Sequence, residues 1–201
     1  MDWHFYEKET RAQGYNVVCG VDEAGRGPLA GPVFAAAVIL PDECEIEGIN
    51  DSKKLSEKKR DALYDVIIEK SVSYCIASAS ETEIDEMNIL QATFSAMKRA
   101  VEGLNIRPEI ALVDGNQVPP LLLPVRTIVH GDAVSASIAA ASILAKVGRD
   151  RFMAEIDRLY PQYLFSKHKG YGTKLHYEML AKYGASAVHR KSFLKNMDRA
   201  K

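Results

Sequence analysis

Two short apolar runs with a loop of glycine and proline between them constrain the fold of this chain most. Residues 16–22 and 33–40 are rich in valine, alanine and isoleucine and have the length of buried strands. The segment between them, residues 23–32, holds three glycines and two prolines. Helices and strands tolerate such a composition poorly. The sequence therefore predicts two buried strands joined by a structured loop.

The rest of the chain alternates between helical and strand patterns. Apolar residues at helical or strand spacing predict helices at 56–70, 84–104 and 133–147 and strands at 72–79, 109–113 and 125–130. After residue 149, short helical pieces surround a glycine-rich loop at 169–173. Alternation of this kind predicts a layered α/β core built around a sheet.

Cysteine usage and hydropathy indicate the compartment. Three cysteines, Cys19, Cys44 and Cys75, cannot all pair, and none has CxxC spacing. Residues 1–10 contain no apolar stretch of the kind found in signal peptides. Residues 133–145, the longest weakly polar stretch, are too few to span a bilayer. We expect a cytoplasmic protein that has no membrane partner.

The net charge of −1 would argue against a nucleic-acid partner, but it conceals two opposite regions. From residue 165 to the end there are nine Lys and Arg against two acids, whereas the rest of the chain has 17 bases and 25 acids. A local basic surface is what binding to phosphates requires. The C-terminal segment therefore remains a candidate for nucleic-acid binding.

Four acids stand where a strand ends or a helix begins. Asp22 and Glu23 close the first strand, Asp114 closes a later one, and Asp132 precedes a helix. Gathered carboxylates repel one another unless a cation lies between them, and all-oxygen ligands suit Mg²⁺ or Mn²⁺. Two alternatives stay open: Asp132 is equally typical of a helix N-cap, and Asp114 followed by Gly115 is a common turn.

The loop after the first strand has the flexibility of a ligand-binding loop. Its glycines, Gly25 and Gly27 among them, allow close approach of the backbone to a ligand. It is neither a GxGxxG nor a Walker A motif. A plain hairpin connection is the alternative. Arg26, a charged residue between two glycines, favours the binding role because no packing need explains it.

Lys53 lies in a basic stretch, residues 51–56, that precedes a predicted helix. The alternative to a functional role for this stretch is that Ser56 is the N-cap of the helix and the lysines form a solvated face.

Tyr171 stands between two glycines in the basic segment 167–173. An exposed tyrosine on such a loop can stack on a sugar or a base, whereas the alternative is a tyrosine that anchors the loop to the core. His168, His176 and His189 share no metal-ligand spacing, and we expect them at the surface or beside phosphates.

The chain resembles the bacterial ribonuclease HII family, a type 2 ribonuclease H, in six blocks. They keep their order from about residue 16 to residue 193 and are GVDEAGRGPLAGPV (20–33), DSKKLS (51–56), VDGN (113–116), GD (131–132), SIAAAS (137–142) and HKGYGT (168–173).

The resemblance implies a ribonuclease H-like α/β fold, a mixed five-stranded sheet flanked by helices with a C-terminal helical extension. Residues 1–150 would form the catalytic core. Residues 151–201 would be a basic helical segment that packs on this core and contributes to substrate binding. The implied activity is that of an endonuclease that cuts the RNA strand of RNA–DNA hybrids and cuts 5′ of single ribonucleotides in duplex DNA.

The resemblance also implies the site. Asp22, Glu23, Asp114 and Asp132 would hold two divalent ions, Mn²⁺ or Mg²⁺, of which one activates water and the other stabilises the leaving 3′-oxygen. The products would carry 3′-hydroxyl and 5′-phosphate ends.

The substrate-binding residues follow from the same resemblance. Gly25, Arg26 and Gly27 together with Tyr171 would sense the 2′-hydroxyl at the RNA-to-DNA junction, and Tyr171 would pack on the following deoxyribose. Lys53 matches a position that contacts a phosphate.

The expected partners are RNA–DNA hybrids and ribonucleotide-containing duplex DNA, bound by a monomer. Contact with a replication clamp stays open. The alternative function is a non-catalytic hybrid-binding module in which the acids are caps and turns.

Overall fold

One five-stranded sheet lies at the centre of the structure, a computed structural model that describes residues 2–195. The strands are β1 (Val18–Ala24), β2 (Val33–Ile39), β3 (Ser73–Ala79), β4 (Ile110–Asp114) and β5 (Val125–Ile128). Their order in the sheet is β3-β2-β1-β4-β5. Strand β2 is antiparallel to β1 and β3, whereas β4 is parallel to β1 and β5. This mixed sheet confirms the predicted fold class.

Helices cover both faces of the sheet. Within residues 2–195 they are α1 (Phe5–Ala12), α2 (Glu57–Lys70), α3 (Glu81–Met87), α4 (Ile89–Glu102), α5 (Ala136–Leu159), α6 (Phe165–His168), α7 (Lys174–Tyr183) and α8 (Lys191–Leu194). Helix α4 packs on one face of the sheet, and α2 and α5 pack on the other. No helix in this part of the chain is long and apolar enough to cross a membrane.

Small residues let α5 lie unusually close to β1. Successive side chains of a strand point to opposite faces, so Cys19 and Val21 contact the α4 side while Gly20 faces α5. A Cβ atom on Gly20 would lie 2.1 Å from the carbonyl carbon of Ser137, a backbone atom that cannot move aside. Only glycine fits at this crossing, and the buried alanines of α5 extend the close contact.

Two predicted elements differ from the structure near the site. Strand β1 runs to Ala24, so Asp22 and Glu23 lie inside the strand instead of closing it. The helix predicted at 84–104 is two helices, α3 and α4, separated by Asn88. Asn88 has φ of 76°, and its side chain accepts hydrogen bonds from the first N–H groups of α4. The helix is interrupted at this polar cap, although the apolar spacing in the sequence continues across it. Helix α1 was not predicted.

Helix α5 is longer than predicted, and its first half is the buried helix that the sequence indicates. It is continuous to Leu159 and passes through residue 150, the predicted boundary between core and C-terminal segment. That boundary therefore does not coincide with a break between elements. Arg199 and Lys201, two of the basic residues of the tail, lie outside the described residues.

Candidate active site

The pairing of two parallel strands brings the acids to one edge of the sheet. Val21 of β1 is the register partner of Val113 of β4, so Asp22 and Asp114, which follow them, lie side by side on neighbouring strands. Asp132 lies in a 3-10 turn, Gly131–Ala133, which comes directly after β5 and before α5.

The turn is fastened to the end of β4. The N–H of Gly131 donates a 2.7 Å hydrogen bond to Oδ1 of Asp114. Asp132 thereby lies beside the acids of β1 and β4, and all four predicted acids meet at one place in the fold.

Asp22 is buried among like charges. Its side chain is only 4% exposed. Burial, followed by the negative charges of Glu23 and Asp114, raises the pKa of Asp22 well above its usual range. The N–H of Glu23, which donates a 2.7 Å hydrogen bond to Asp22, and the nearby Ser142 hydroxyl oppose this rise. A cation bound among these acids would favour the ionised form of the carboxyl.

Glu23, whose side chain points to the opposite face of the sheet from that of Asp22, is likewise largely buried and near the charge of Asp114. Burial raises the pKa of Glu23, while the Arg26 guanidinium opposes the rise and the Asp114 carboxylate adds to it. Arg26 Nη1 lies 3.4 Å from a carboxylate oxygen of Glu23. A cavity of about 250 Å³ beside Glu23 and Asp114 opens toward α4 and includes Asn116 in its lining.

Asp132 is 4% exposed and caps no helix. The N-cap of α5 is Ser135, whose hydroxyl accepts from the N–H of Ile138, so the N-cap alternative for Asp132 is wrong. Burial and then the charges of Asp114 and Asp51 raise the pKa of Asp132 to about 6. Asp51 is a fifth acid at the site, which the sequence reasoning did not single out.

The donor set of the site fits a hard divalent cation. Asp22, Glu23, Asp114 and Asp132 offer only oxygen atoms, the ligands that Mg²⁺ and Mn²⁺ prefer. Their mutual repulsion is offset only in part by the two nearby cations, Lys53 and Arg26.

The fold places these four acids close together without yet directing their side chains at a single point. Within residues 2–195 no three Asp, Glu, His or Cys side chains already converge on one point at ligand distance. What the structure shows is that the backbone collects the carboxylates at one edge of the sheet.

Lys53 reaches the acids from the other side of the cleft. It lies in the 3-10 turn Ser52–Lys54, where the Asp51 side chain accepts its backbone N–H at 2.8 Å. Its ammonium group is 3.9 Å from Asp132 and largely exposed, and the charges of Asp22 and Asp132 raise its pKa although burial opposes this. Ser56 caps α2 as the alternative reading has it, and Lys53 nevertheless lies at the site.

The glycine loop and the tyrosine loop are in direct contact. The N–H of Leu29 donates to the carbonyl of Gly170 at 2.8 Å. A Cβ atom on Gly27 would lie 3.8 Å from the ring of Tyr171, whose side chain is 41% exposed. The loop connects two antiparallel strands, so the hairpin alternative describes its topology. The exposed ring is available to a ligand.

The three C-terminal histidines are not surface residues, and this expectation is wrong. His168, His176 and His189 are all buried, and burial lowers the pKa of each, that of His189 to about 4. His176 Nδ1 is 3.0 Å from the carbonyl oxygen of Tyr171, and its Nε2 is 3.1 Å from His189 Nε2. Because a carbonyl only accepts, Nδ1 is the donor, and His189 donates to the second nitrogen. His168 and His176 thus hydrogen bond the backbone of the tyrosine loop, and His189 hydrogen bonds His176.

Two buried arginines and one serine are further residues that the sequence reasoning missed. Arg149 and Arg190 donate to the carbonyls of the glycine loop, and the Ser142 hydroxyl, which hydrogen bonds Ser52 at 2.9 Å, lowers the pKa of the nearby Asp22. Arg190 is one of the nine basic residues of the C-terminal segment, but its side chain is buried. A single basic residue in a helix or loop carries no pattern that distinguishes a buried guanidinium from an exposed one.

Comparison with known proteins decides the family. The family model for Ribonuclease HII matches residues 19–196. The chain belongs to the ribonuclease HII family. A ribonuclease HII of Caldicellulosiruptor saccharolyticus is 55% identical over 199 residues, which cover 98% of this chain and 97% of that protein.

Solved structures of ribonuclease H2 and HII have the same fold. Ribonuclease H2 of Pyrococcus horikoshii OT3 superposes with a TM-score of 0.72 at 29% identity, over 88% of this chain and 93% of that one. The ribonuclease HII in a PCNA complex from Archaeoglobus fulgidus superposes with a TM-score of 0.71 at 27% identity, over 87% of this chain and 94% of that one.

Membership of the ribonuclease HII family confirms the resemblance found in the sequence and makes this chain an endonuclease of the ribonuclease H class. A non-catalytic module, the alternative function, is therefore not supported.

Proposed function

We propose that the chain hydrolyses the RNA strand of RNA–DNA hybrids and also cuts 5′ of single ribonucleotides in duplex DNA. The ends are a 3′-hydroxyl and a 5′-phosphate. The observation that carries this is a set of four buried or half-buried acids at one edge of the sheet, in a chain of the ribonuclease HII family whose glycine loop, directly after two of these acids, lies against an exposed tyrosine. The acids supply the chemistry and the loops supply the choice of substrate.

Asp22, Glu23, Asp114 and Asp132 would hold two divalent ions, Mg²⁺ or Mn²⁺. Ions at such a site activate the attacking water and neutralise the charge that develops on the leaving 3′-oxygen. The fold supplies the placement of these acids at one edge of the sheet before substrate arrives.

Lys53 would contact a phosphate of the substrate next to the scissile one. Its ammonium group is exposed and lies 3.9 Å from Asp132, so it can bridge the acid edge and the nucleic-acid backbone. A lysine acts at such a position as a point charge with three donors.

The Gly25-Arg26-Gly27 segment and Tyr171 would sense the 2′-hydroxyl at the RNA-to-DNA junction. The close approach of Gly27 to the Tyr171 ring supports one shared binding surface. We expect Arg26→Ala or Tyr171→Ala to lower the preference for a ribonucleotide junction. An unchanged preference in both variants would refute the sensor assignment.

The basic C-terminal segment would add nonspecific affinity. Lys167, Lys174 and Lys182 are exposed, so they remain available to phosphates, whereas Arg190 is not. Binding through such residues weakens as salt is added, because counterions compete for the phosphates. Binding that does not change between low and high salt would rule out this contribution.

Cleavage of a uniform RNA–DNA hybrid tests the catalytic assignment. We expect Asp22→Asn to abolish cleavage in Mg²⁺ or Mn²⁺ while circular dichroism stays that of the wild type, because the lost charge weakens metal binding. Asp65→Asn, on the exposed face of α2, is the matched control and should cleave normally.

Calorimetric titration with Mn²⁺ tests the cation directly. The wild type should bind one or two ions and Asp22→Asn fewer. Full turnover by Asp22→Asn, or no specific Mn²⁺ binding by the wild type, would contradict the proposal.

A further inference from the structure

Two arginines without exposed side chains lie beneath the glycine loop, residues 25–32. Arg149 comes from the middle of α5 and Arg190 directly precedes α8. All the hydrogen bonds that the structure gives their guanidiniums end on backbone carbonyl oxygens. The metal-ligand assignment uses neither residue.

Arg190 fastens the two ends of the glycine loop to each other. Its guanidinium donates to the carbonyls of Gly25 at 2.6 Å, Arg26 at 2.9 Å and Gly31 at 2.8 Å. Its backbone N–H donates to the carbonyl of Leu29 at 2.9 Å. One side chain therefore fixes peptide orientations at both ends of the loop.

Arg149 joins the glycine loop to the tyrosine loop. It donates to the carbonyls of Ala30 and Pro32, each at 3.1 Å, and to that of Lys169 at 3.0 Å. Its guanidinium carbon also lies 5.7 Å from the centre of the Tyr171 ring. The ring is thus held by a cation that is itself fixed to the glycine loop.

The inward carbonyls turn two N–H groups outward. In a trans peptide the C=O and the N–H point in opposite directions. Because Arg190 draws the carbonyls of Gly25 and Arg26 inward, the N–H groups of Arg26 and Gly27 face away from it. Both residues are exposed, and within residues 2–195 neither N–H has a backbone partner. They are free donors beside the Tyr171 ring.

Stability alone is a poor reason for two such arginines. Neither guanidinium has a carboxylate at ion-pair distance within residues 2–195, although the charge of Glu81 favours the cationic form of both. Apolar residues in place of buried charges are often neutral or stabilising. Burial and the nearby charge of Arg149 lower the pKa of Arg190 to about 9, so it is still cationic at neutral pH. What an apolar residue does not supply is a planar fork with donors in three directions.

We propose that Arg190 and Arg149 are positioning residues that set the preference of this enzyme for ribonucleotide junctions. They hold the N–H groups of Arg26 and Gly27 outward and keep the Tyr171 ring against the same surface. None of the hydrogen bonds of their guanidiniums ends on one of the four acids. This inference rests on the proposed function, since it concerns the loops assigned there to the 2′-hydroxyl and the following deoxyribose.

Two cleavage rates measured on each enzyme preparation test the proposal. One substrate is duplex DNA with a single ribonucleotide, and the other is a uniform RNA–DNA hybrid, which has no junction. The ratio of kcat/KM for the two substrates is independent of the folded fraction, so a partly unfolded variant still gives an answer. Arg190→Lys and Arg149→Lys keep the positive charge and remove the fork.

We expect the junction-to-hybrid ratio to fall about tenfold in each variant, as the loss of a well-placed hydrogen bond would produce. Arg126→Lys is the matched control, because Arg126 pairs with Glu9 and makes no bond to either loop. Its ratio should equal that of the wild type.

A wild-type ratio in both Arg190→Lys and Arg149→Lys overturns this inference and leaves the proposed function intact. A wild type that shows no junction preference overturns the junction-sensing part of the proposed function and this inference with it. A wild type that cuts neither substrate in Mg²⁺ or Mn²⁺ overturns the whole proposed function as well.

Discussion

Removal of the Asp132 charge should stabilise the metal-free protein, against the usual effect of a substitution at a buried position. Burial and the charges of Asp114 and Asp51 raise the pKa of Asp132 from 3.8 to about 6. Because one pKa unit corresponds to about 1.4 kcal/mol, ionised Asp132 destabilises the folded state by about 3 kcal/mol at pH 7. Asp132→Asn keeps the shape of the side chain and abolishes this cost.

The effect has a defined dependence on pH. Between about pH 4 and pH 6 the folded state keeps the Asp132 proton that the unfolded state has lost, so this group makes the wild type less stable as pH rises. The advantage of Asp132→Asn should therefore grow from under about 1 kcal/mol at pH 4 to about 3 kcal/mol at pH 7. For a chain of this length that is roughly 6–12 °C in Tm at pH 7.

Urea denaturation in EDTA at several pH values measures this difference. The buried histidines titrate in the opposite sense, since the pKa of His189 is lowered to about 4, so the wild-type curve alone mixes both effects and the variant-minus-wild-type difference is the quantity to use. Asp65→Asn, exposed on α2, should show no such trend. If Asp132→Asn is no more stable than the wild type at pH 7, or gains as much at pH 4, the electrostatic account of the site is wrong.

Three further predictions follow from the same contacts. Mn²⁺ at 100 times its dissociation constant should stabilise the wild type by about 2.7 kcal/mol, and Asp22→Asn should lose most of this gain in a thermal melt. Gly20→Ala should cost at least about 2 kcal/mol in urea denaturation, because its Cβ would lie 2.1 Å from backbone of Ser137; a loss under 0.5 kcal/mol would mean that α5 can move away from β1. Glu7→Ala should lower the free energy of unfolding by about 3 kcal/mol, because one oxygen of Glu7 accepts three hydrogen bonds at the start of α5. The donors are the hydroxyls of Ser135 and Ser137 and the N–H of Ser137. An unchanged midpoint of urea denaturation would contradict this.

The sequence predicted the sheet well because buried strands and their glycine boundaries leave local signals. All five strands were found, with ends displaced by two residues or fewer. The break at Asn88 was missed because the apolar spacing continues across it, and only its φ of 76° and its cap separate the two helices. Helix α1 was missed because it is short and polar, and its stability comes from contacts such as that of Glu7 with the distant α5.

The acids and the loops of the site could be predicted, because their residue types and spacing are distinctive in the sequence. Two adjacent acids after an apolar run and an arginine between two glycines can be recognised in the sequence alone. The residues that support the acids and loops could not be recognised in this way. Ser142, Arg149 and Arg190 act through contacts that the fold creates between distant segments. The histidines illustrate the same limit, since a polar residue in a basic segment gives no sign that it will be buried.

The central claim is that the gathered acids cut nucleic acid at a ribonucleotide with the help of a divalent cation. The most direct measurement is incubation of end-labelled duplex DNA that carries one ribonucleotide with the wild type in Mg²⁺ or Mn²⁺, followed by mapping of the cut and its ends. The account predicts one cut on the 5′ side of the ribonucleotide, with a 3′-hydroxyl and a 5′-phosphate, that EDTA abolishes. An intact duplex, or the same cut with EDTA present, would contradict it.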